Sequence, residues 1–442
     1  MKPAARSRFR WQIIVTVAAN CLLVGCPPPP PHGCESKQPG TEQGLADAVK
    51  CILGKGDSTI VTQTTTSTRL YLDVSASMRG FLDGDYRSDS HNFLRVIDTL
   101  VLRLGVDSAL GFGSTLRPIN SSLGNLGRPE LYSDNKTDLE AALAKISRDS
   151  LLTATHVVLG DGRRDTPEQA RSQFSALASL ASKWTSRQGT FIVAVSLANF
   201  HTVAGDPSGC GTGPKTPSGV QRCPLYAFVF ASPGDEDRIG ALVSAAFEHI
   251  YAWPLPRSMS LEMEDANAAT GSAGSSGSFE QRWISGPPSP SVARLQAPAP
   301  MKGFRPLRLV ARGDNVAVRH WHNKLLEDAR LSAKVSMSVL GELMKGEKGE
   351  LAWIDIDASA ANPRIKVDTS SAANLSVRVS GINEESSLMR YQLILSGAPR
   401  WLDDFVAASA RDPVKTMGLS LLFIAPGQEV AGRPPTAYLR LN

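Results

Sequence analysis

A chain of 442 residues, 42% hydrophobic and 20% charged, carries enough apolar material for two or three domains with cores of their own. That composition is that of an ordinary globular protein, so disorder is not the default reading. The formal charge of +5 is concentrated at the start, because four of the 47 basic residues (Lys2, Arg6, Arg8 and Arg10) fall in the first ten positions. Without residues 1–25 the count is 43 basic against 42 acidic, so no nucleic-acid partner is expected.

The first segment reads as a targeting signal and not as part of the fold. Its basic start leads into an apolar stretch, Trp11 to Leu23, that is too short to span a bilayer comfortably. The end of that stretch, Leu23-Val24-Gly25-Cys26, resembles the lipobox of bacterial lipoprotein signal peptides. The resemblance implies cleavage of residues 1–25, lipid on the Cys26 sulfur and N-acylation, which would hold the chain on a bilayer in the cell envelope. Pro27 stands where an Asp marks inner-membrane retention in some bacteria, a lean toward the outer membrane. An ordinary secretory signal or an uncleaved anchor is the alternative.

Cys21 leaves with the signal, and Cys34, Cys51, Cys210 and Cys223 remain, an even number in an oxidising exported context. Of three possible connectivities, the local pairs Cys34–Cys51 and Cys210–Cys223 are expected, each closing a short loop worth about 3 kcal/mol in chain-entropy terms. A zinc site using His201 is the alternative, but the spacings match no zinc pattern.

Residues 26–68 read as a spacer and N-terminal segment. Five prolines, Pro27 to Pro31, form a stiff stalk, followed by a helical candidate at Leu45–Leu53 and a Thr-rich run. From Arg69 strands and helices alternate. The strand at 69–74 precedes a helix near His91–Leu104, a strand at Ser108–Phe112, a short edge strand at Leu116–Ile119 and a helix at Asp138–Ile146. Then come a strand at Thr155–Leu159, a helix opened by Thr166-Pro167, strands at Phe191–Leu197 and Leu225–Ala231, and a helix at Asp237–Ile250. This order predicts an α/β domain over 69–252, a doubly wound and mostly parallel sheet. Residues 253–300 carry Gly/Ser and Pro-rich runs and read as a linker. Period-two alternation at Leu331–Val339, Leu375–Val379 and Met389–Leu395, with further strands at Leu307–Ala311, Ala352–Ile356, Leu419–Ile424 and Tyr438–Leu441, predicts a smaller β-rich domain over 301–442. A sandwich of immunoglobulin-like form is expected. One helix is expected at Trp401–Ala410, and His320-Trp321-His322 reads as a strand end with surface histidines.

Three polar clusters fall at the carboxyl ends of strands or on the adjoining loops: Asp73/Ser75/Ser77, Asn135-Lys136-Thr137-Asp138 and Gly160-Asp161-Gly162. Ligands of open α/β sheets sit at such ends. Together they resemble the von Willebrand factor type A domain and its metal-ion-dependent adhesion site, whose Asp-x-Ser-x-Ser, later Thr and later Asp correspond to Asp73, Ser75, Ser77, Thr137 and Asp161. The resemblance covers about 69–250, with Gly-Asp-Gly in place of Thr-Asp-Gly and no Gly beside Thr137. It implies a Mg²⁺ (or Mn²⁺) site that captures an Asp or Glu carboxylate of a protein partner. The residue types suit that role: neutral hydroxyls leave a hard cation its charge, and carboxylates orient the waters and hydroxyls around it. Taken alone, Asp-x-Ser-x-Ser is better read as a polar turn capping the next helix; the two further clusters reverse that.

Other candidates point elsewhere. Asp83, Asp85 and Asp89 lack the spacing and terminal Glu of a calcium loop and read as a solvated acidic loop. His91 and His156 read as structural. Phosphate-loop, zinc-protease and serine-nucleophile motifs are missing, and Ser75 cannot serve as the acid of an aspartyl phosphotransferase. A non-enzymatic binding protein is therefore expected; the alternatives are a metal-independent envelope scaffold and a hydrolase with its site in the C-terminal half.

Overall fold

Strand β1 (Ser67–Asp73) is buried without interruption from Leu70 to Asp73, as an apolar run in the middle of a sheet demands. The computed structural model describes residues 67–82, 93–162, 166–201, 221–265, 278–283, 291–296, 305–312, 315–339, 354–356, 365–368, 375–379, 387–395, 397–406, 416, 418–424 and 435–441. Apart from Ser338, Val339 and Ile354, these fall in one unit, Val61–Met337 with Asp355–Asn442.

β1 pairs in parallel with β2 (Val106–Phe112) on one side and β4 (Ala154–Gly160) on the other. The full sheet also takes in β3 (Leu116–Ile119), β5 (Thr190–Phe200), β6 (Gln221–Ala231) and β7 (His249–Trp253), in the order β3-β2-β1-β4-β6-β5-β7. Strands β1, β2, β4 and β5 run one way and the other three run against them. The sheet is thus mixed, with a parallel majority. The departure from a parallel core is β6, which lies antiparallel between β4 and β5. Parallel neighbours need a crossover, usually a helix, and the Gly/Pro-rich sequence between Phe200 and Gln221 offers no helical pattern, so the chain turns back as a hairpin.

The helices fall into two contact groups. α1 (Phe93–Leu104) packs on α4 (Glu236–Ala246), which packs on α5 (Val316–Asp328); α2 (Leu139–Ser147) packs on α3 (Pro167–Ser186). Asp138 caps α2 through Ala141 N, and Thr166 caps α3 through Gln169 N. Two expectations need correction here. The last helix of the α/β part ends at Ala246, because His249-Ile250-Tyr251-Ala252-Trp253 is an aromatic and β-branched run that forms β7. His320-Trp321-His322 lies on α5, which Asn315 caps through Val318 N at 2.9 Å.

The outward edge of β7 is covered. Ile250 N donates to Asp328 Oδ2 at 2.7 Å, and Trp401 Nε1 donates to Ile250 O at 3.2 Å, which closes an edge that would otherwise template another strand. A six-stranded sheet runs β13 (Ile354–Ile356), β12 (Leu331–Val339), β16 (Ser387–Leu395), β17 (Thr436–Leu441), β10 (Ser291–Gln296), β9 (Ser278–Trp283). A separate small antiparallel sheet runs β14 (Ile365–Asp368), β15 (Leu375–Val379), β11 (Arg305–Arg312), β8 (Ser260–Asp265). The stretch 253–300, read as a linker, therefore carries β8, β9 and β10; its Gly/Ser and Pro-rich runs fall between them, outside the described residues. Leu419–Ile424, read as a strand, is instead a helical turn at Leu421–Ile424 against α3, preceded by Gly418 at φ +78. Of the Trp401–Ala410 helix, Leu402–Phe405 is helical.

His156 illustrates how the core constrains a titrating group. It is fully buried on β4, with Nε2 3.2 Å from Asp149 Oδ2 and Nδ1 3.3 Å from the Tyr71 hydroxyl. A neutral ring satisfies both, donating to the carboxylate and accepting from the phenol. Burial pushes its pKa from 6.5 down to about 4, against the pull of Asp149. The unfolded chain therefore binds a proton at a pH where the folded chain does not, and stability falls as pH drops from 6.5 toward 4. The expected loss is about 3 kcal/mol. Asp149, whose burial is outweighed by hydrogen bonds from Thr153, His156 and Ala154, adds loss only below its ordinary 3.8. Urea midpoints at pH 7 and pH 4.5 check this, and in His156→Phe the loss between them should shrink by most of that amount.

Candidate metal site

Asp73 and Gly160 end two neighbouring parallel strands, so the loops that follow leave the sheet at the same end. In the first loop, Ser75 N donates to Asp73 Oδ1 at 2.9 Å, and the Ser75 and Ser77 hydroxyls lie 3.0 Å apart. A 3₁₀ turn, Ala76–Phe81, comes next, and Ser75 holds its cap position without making a capping hydrogen bond. The helix-cap reading of the motif is thus not the one the side chains adopt. Both hydroxyls face each other, and the buried carboxylate organises the loop from behind.

The second loop is tied to the first through backbone. Ala76 N donates to Asp134 O at 2.8 Å and Asp134 N to Val74 O at 3.3 Å, an isolated parallel bridge between Ser75 and Asp134. Asp138 N donates to Gly113 O at 2.8 Å, just beyond β2. Thr137, half-buried, sits between these two anchors, one residue before the cap of α2. Two residues not singled out from sequence fix this loop. The Asp134 carboxylate takes hydrogen bonds from Ser114 N at 2.9 Å and Arg117 Nη1 at 2.9 and 3.0 Å. A Cβ at Gly113 would lie 2.1 Å from Asp134 Oδ2, so only glycine fits there. No motif flags Asp134 or Arg117; the pairing arises from the β2–β3 turn, which brings Arg117 back beside the loop.

In the third loop Asp161 is buried, and its neighbour Gly160 lies against the first: a Cβ on Gly160 would sit 3.0 Å from Asp73 Cβ and 3.3 Å from Asp73 Oδ2. The charges of both carboxylates are felt by buried phenols. Burial pushes the Tyr132 hydroxyl far up with Asp73 adding to it; burial does the same to Tyr226, with Asp161 adding and a hydrogen bond to Thr416 opposing. The structure thus brings Asp73, Ser75 and Ser77 together, sets the Asp161 turn against Asp73 and straps the Thr137 loop to Ser75.

Two carboxylates with serine and threonine hydroxyls form a hard-oxygen donor set, the chemistry that Mg²⁺ or Mn²⁺ accepts. Among the described residues no group of three or more His, Cys, Asp or Glu is arranged to hold a metal, so a cation here would depend on the hydroxyls. Cys223 is disulfide-bonded; Cys26, Cys34, Cys51 and Cys210 lie outside the described residues, as does the acidic loop of Asp83, Asp85 and Asp89. Among the described residues no helix is long and apolar enough to cross a membrane. No protein-family model matches the chain, and neither a curated protein nor a solved structure matches it significantly.

Proposed function

We propose that the chain is a lipid-anchored cell-envelope binding protein whose α/β part, a doubly wound domain of von Willebrand type A character, captures a carboxylate of a protein partner through a divalent cation. The observation that carries this reading is the pair of Ser75 and Ser77 hydroxyls held 3.0 Å apart above the buried Asp73, with Ser75 not engaged in capping. Asp73 and Asp161 orient; Ser75, Ser77 and Thr137 donate lone pairs. Mg²⁺ or Mn²⁺ bound there would supply an electrophilic position for the partner's Asp or Glu. The two contact groups of helices support a doubly wound arrangement, and β6 is where this sheet departs from the simple alternation. The two C-terminal sheets make a sandwich-like interaction or spacer module, and acylated Cys26 supplies the anchor at the outer membrane.

The reading predicts that a pull-down of envelope proteins with the full-length chain is lost in EDTA and recovered with Mg²⁺ or Mn²⁺ but less well with Ca²⁺, whose larger radius suits more ligands. Capture that ignores EDTA supports the metal-independent scaffold instead. A Cys26→Ser form that still fractionates with membranes overturns the anchor.

A further inference from the structure

Gly162 leaves β4 at φ +67. A Cβ there would meet Tyr226 Cδ2 and Cε2 at 3.0 and 3.1 Å and Thr416 Cγ2 at 3.4 Å. The turn that carries Asp161 therefore rests directly on an aromatic ring and a methyl group. The ring is fully buried, opposite Gly160 in the β4–β6 ladder, and its hydroxyl donates to Thr416 Oγ1 at 2.8 Å. Thr416 comes from far along the chain and is itself anchored: its N–H donates to Phe405 O at 2.7 Å, and Val406 and Thr416 form a bridge. Phe405 stands edge-on to Trp401, whose indole binds the β7 edge. A continuous set of contacts thus runs from the Asp161 turn through two buried hydroxyls to the far edge of the sheet.

We propose that Tyr226 and Thr416 are positioning residues for the Asp161 end of the site, so that cation uptake by the α/β part depends on a hydroxyl supplied by the C-terminal half. The inference rests on the metal-binding reading above. Its physical basis is the cost of a buried donor left without an acceptor, or of a buried acceptor left without its donor. Removing the Thr416 hydroxyl strands the Tyr226 O–H under the turn, and the ring cannot shift without moving Gly162 and Asp161. Partners hydrogen-bonded to a ligand commonly change metal affinity by about 10- to 100-fold, and support passed through the Gly162 backbone is expected at the lower end of that range.

Mn²⁺ binding to the full-length chain, followed by paramagnetic resonance of the free ion, tests it. Thr416→Val and Tyr226→Phe should each weaken binding about tenfold, whereas Thr416→Ser, which keeps the acceptor, should stay near wild type. Leu326→Ala, a cavity on α5 remote from the turn, should lower the unfolding temperature and leave affinity alone, so that affinity does not merely track stability. If Thr416→Val fails to fold, Tyr226→Phe and Thr416→Ser still decide the matter. Wild-type affinity in Tyr226→Phe and Thr416→Val overturns the inference by itself, and a loss shared equally by Thr416→Ser overturns the hydroxyl link. If the wild-type chain takes up no Mn²⁺, the metal reading fails and this inference falls with it.

Discussion

Asp73→Asn is expected to abolish cation-dependent partner capture while leaving the metal-free protein at least as stable as wild type. Asparagine keeps an oxygen for the Ser75 N–H at 2.9 Å, so the loop retains its turn; what disappears is charge. Losing one of two carboxylates around a hard cation should weaken Mn²⁺ binding by about 100-fold, the upper end for groups that orient the inner ligands. Stability should hold, because the loop's internal hydrogen bond survives and a neutral amide is cheaper to bury at this strand end than a carboxylate. Titration of Mn²⁺ and thermal unfolding in EDTA measure the two effects. Equal Mn²⁺ affinity in mutant and wild type would sink the assignment, and a large drop in metal-free stability would show that Asp73 is structural.

The largest stability effect should come from the contact between α4 and α5. Trp321 is fully buried, and a Cβ on Gly240 would lie 2.2 Å from its Cε2 and 2.5 Å from its Cζ2. The indole N–H also reaches Asp237 Oδ1 at 3.3 Å, beside His322 Nε2 at 3.1 Å on the same oxygen. Trp321→Ala should cost about 3–5 kcal/mol, the range for emptying an aromatic site. Gly240→Ala should cost about 1–3 kcal/mol through overpacking, although alanine is the better helix former by about 1 kcal/mol. The sign should reverse once the indole is gone: in a Trp321→Leu background Gly240→Ala becomes stabilising. Urea unfolding of the four proteins measures this coupling, and additive effects would show that the two residues do not compete for the same space.

The legible and illegible parts of this chain separate along physical lines. Strands such as β1, β4 and β5 announced themselves because burial on both faces demands an unbroken apolar run, and α3 because Thr166 and Pro167 mark a helix start. The place of β6 was not readable, since nothing local in Gln221–Ala231 says which neighbour it will join. The α5 helix was readable in retrospect: Asn315 caps it, and Trp321, Leu325 and Ala329 recur at helical spacing. Histidines flanking Trp321 obscured that pattern, although one of them is buried against Asp237. In the site, Asp73, Ser75 and Ser77 stand within a few residues and form a motif by themselves. Asp134 and Thr416 act through pairings distant in the chain, with Arg117 and Tyr226, and no spacing rule connects such partners.

The position of β6 has a further consequence. Phe200 ends β5 and Gln221 begins β6 at the same end of the sheet as Asp73 and Gly160, and His201 N donates to Gly80 O at 2.7 Å, just past the serine loop. The nineteen residues between these anchors therefore start and finish on the rim that surrounds the proposed cation. The fold thus fixes both ends of the β5–β6 connection, Phe200 with His201 on one side and Gln221 on the other, beside the loops that would hold the ion.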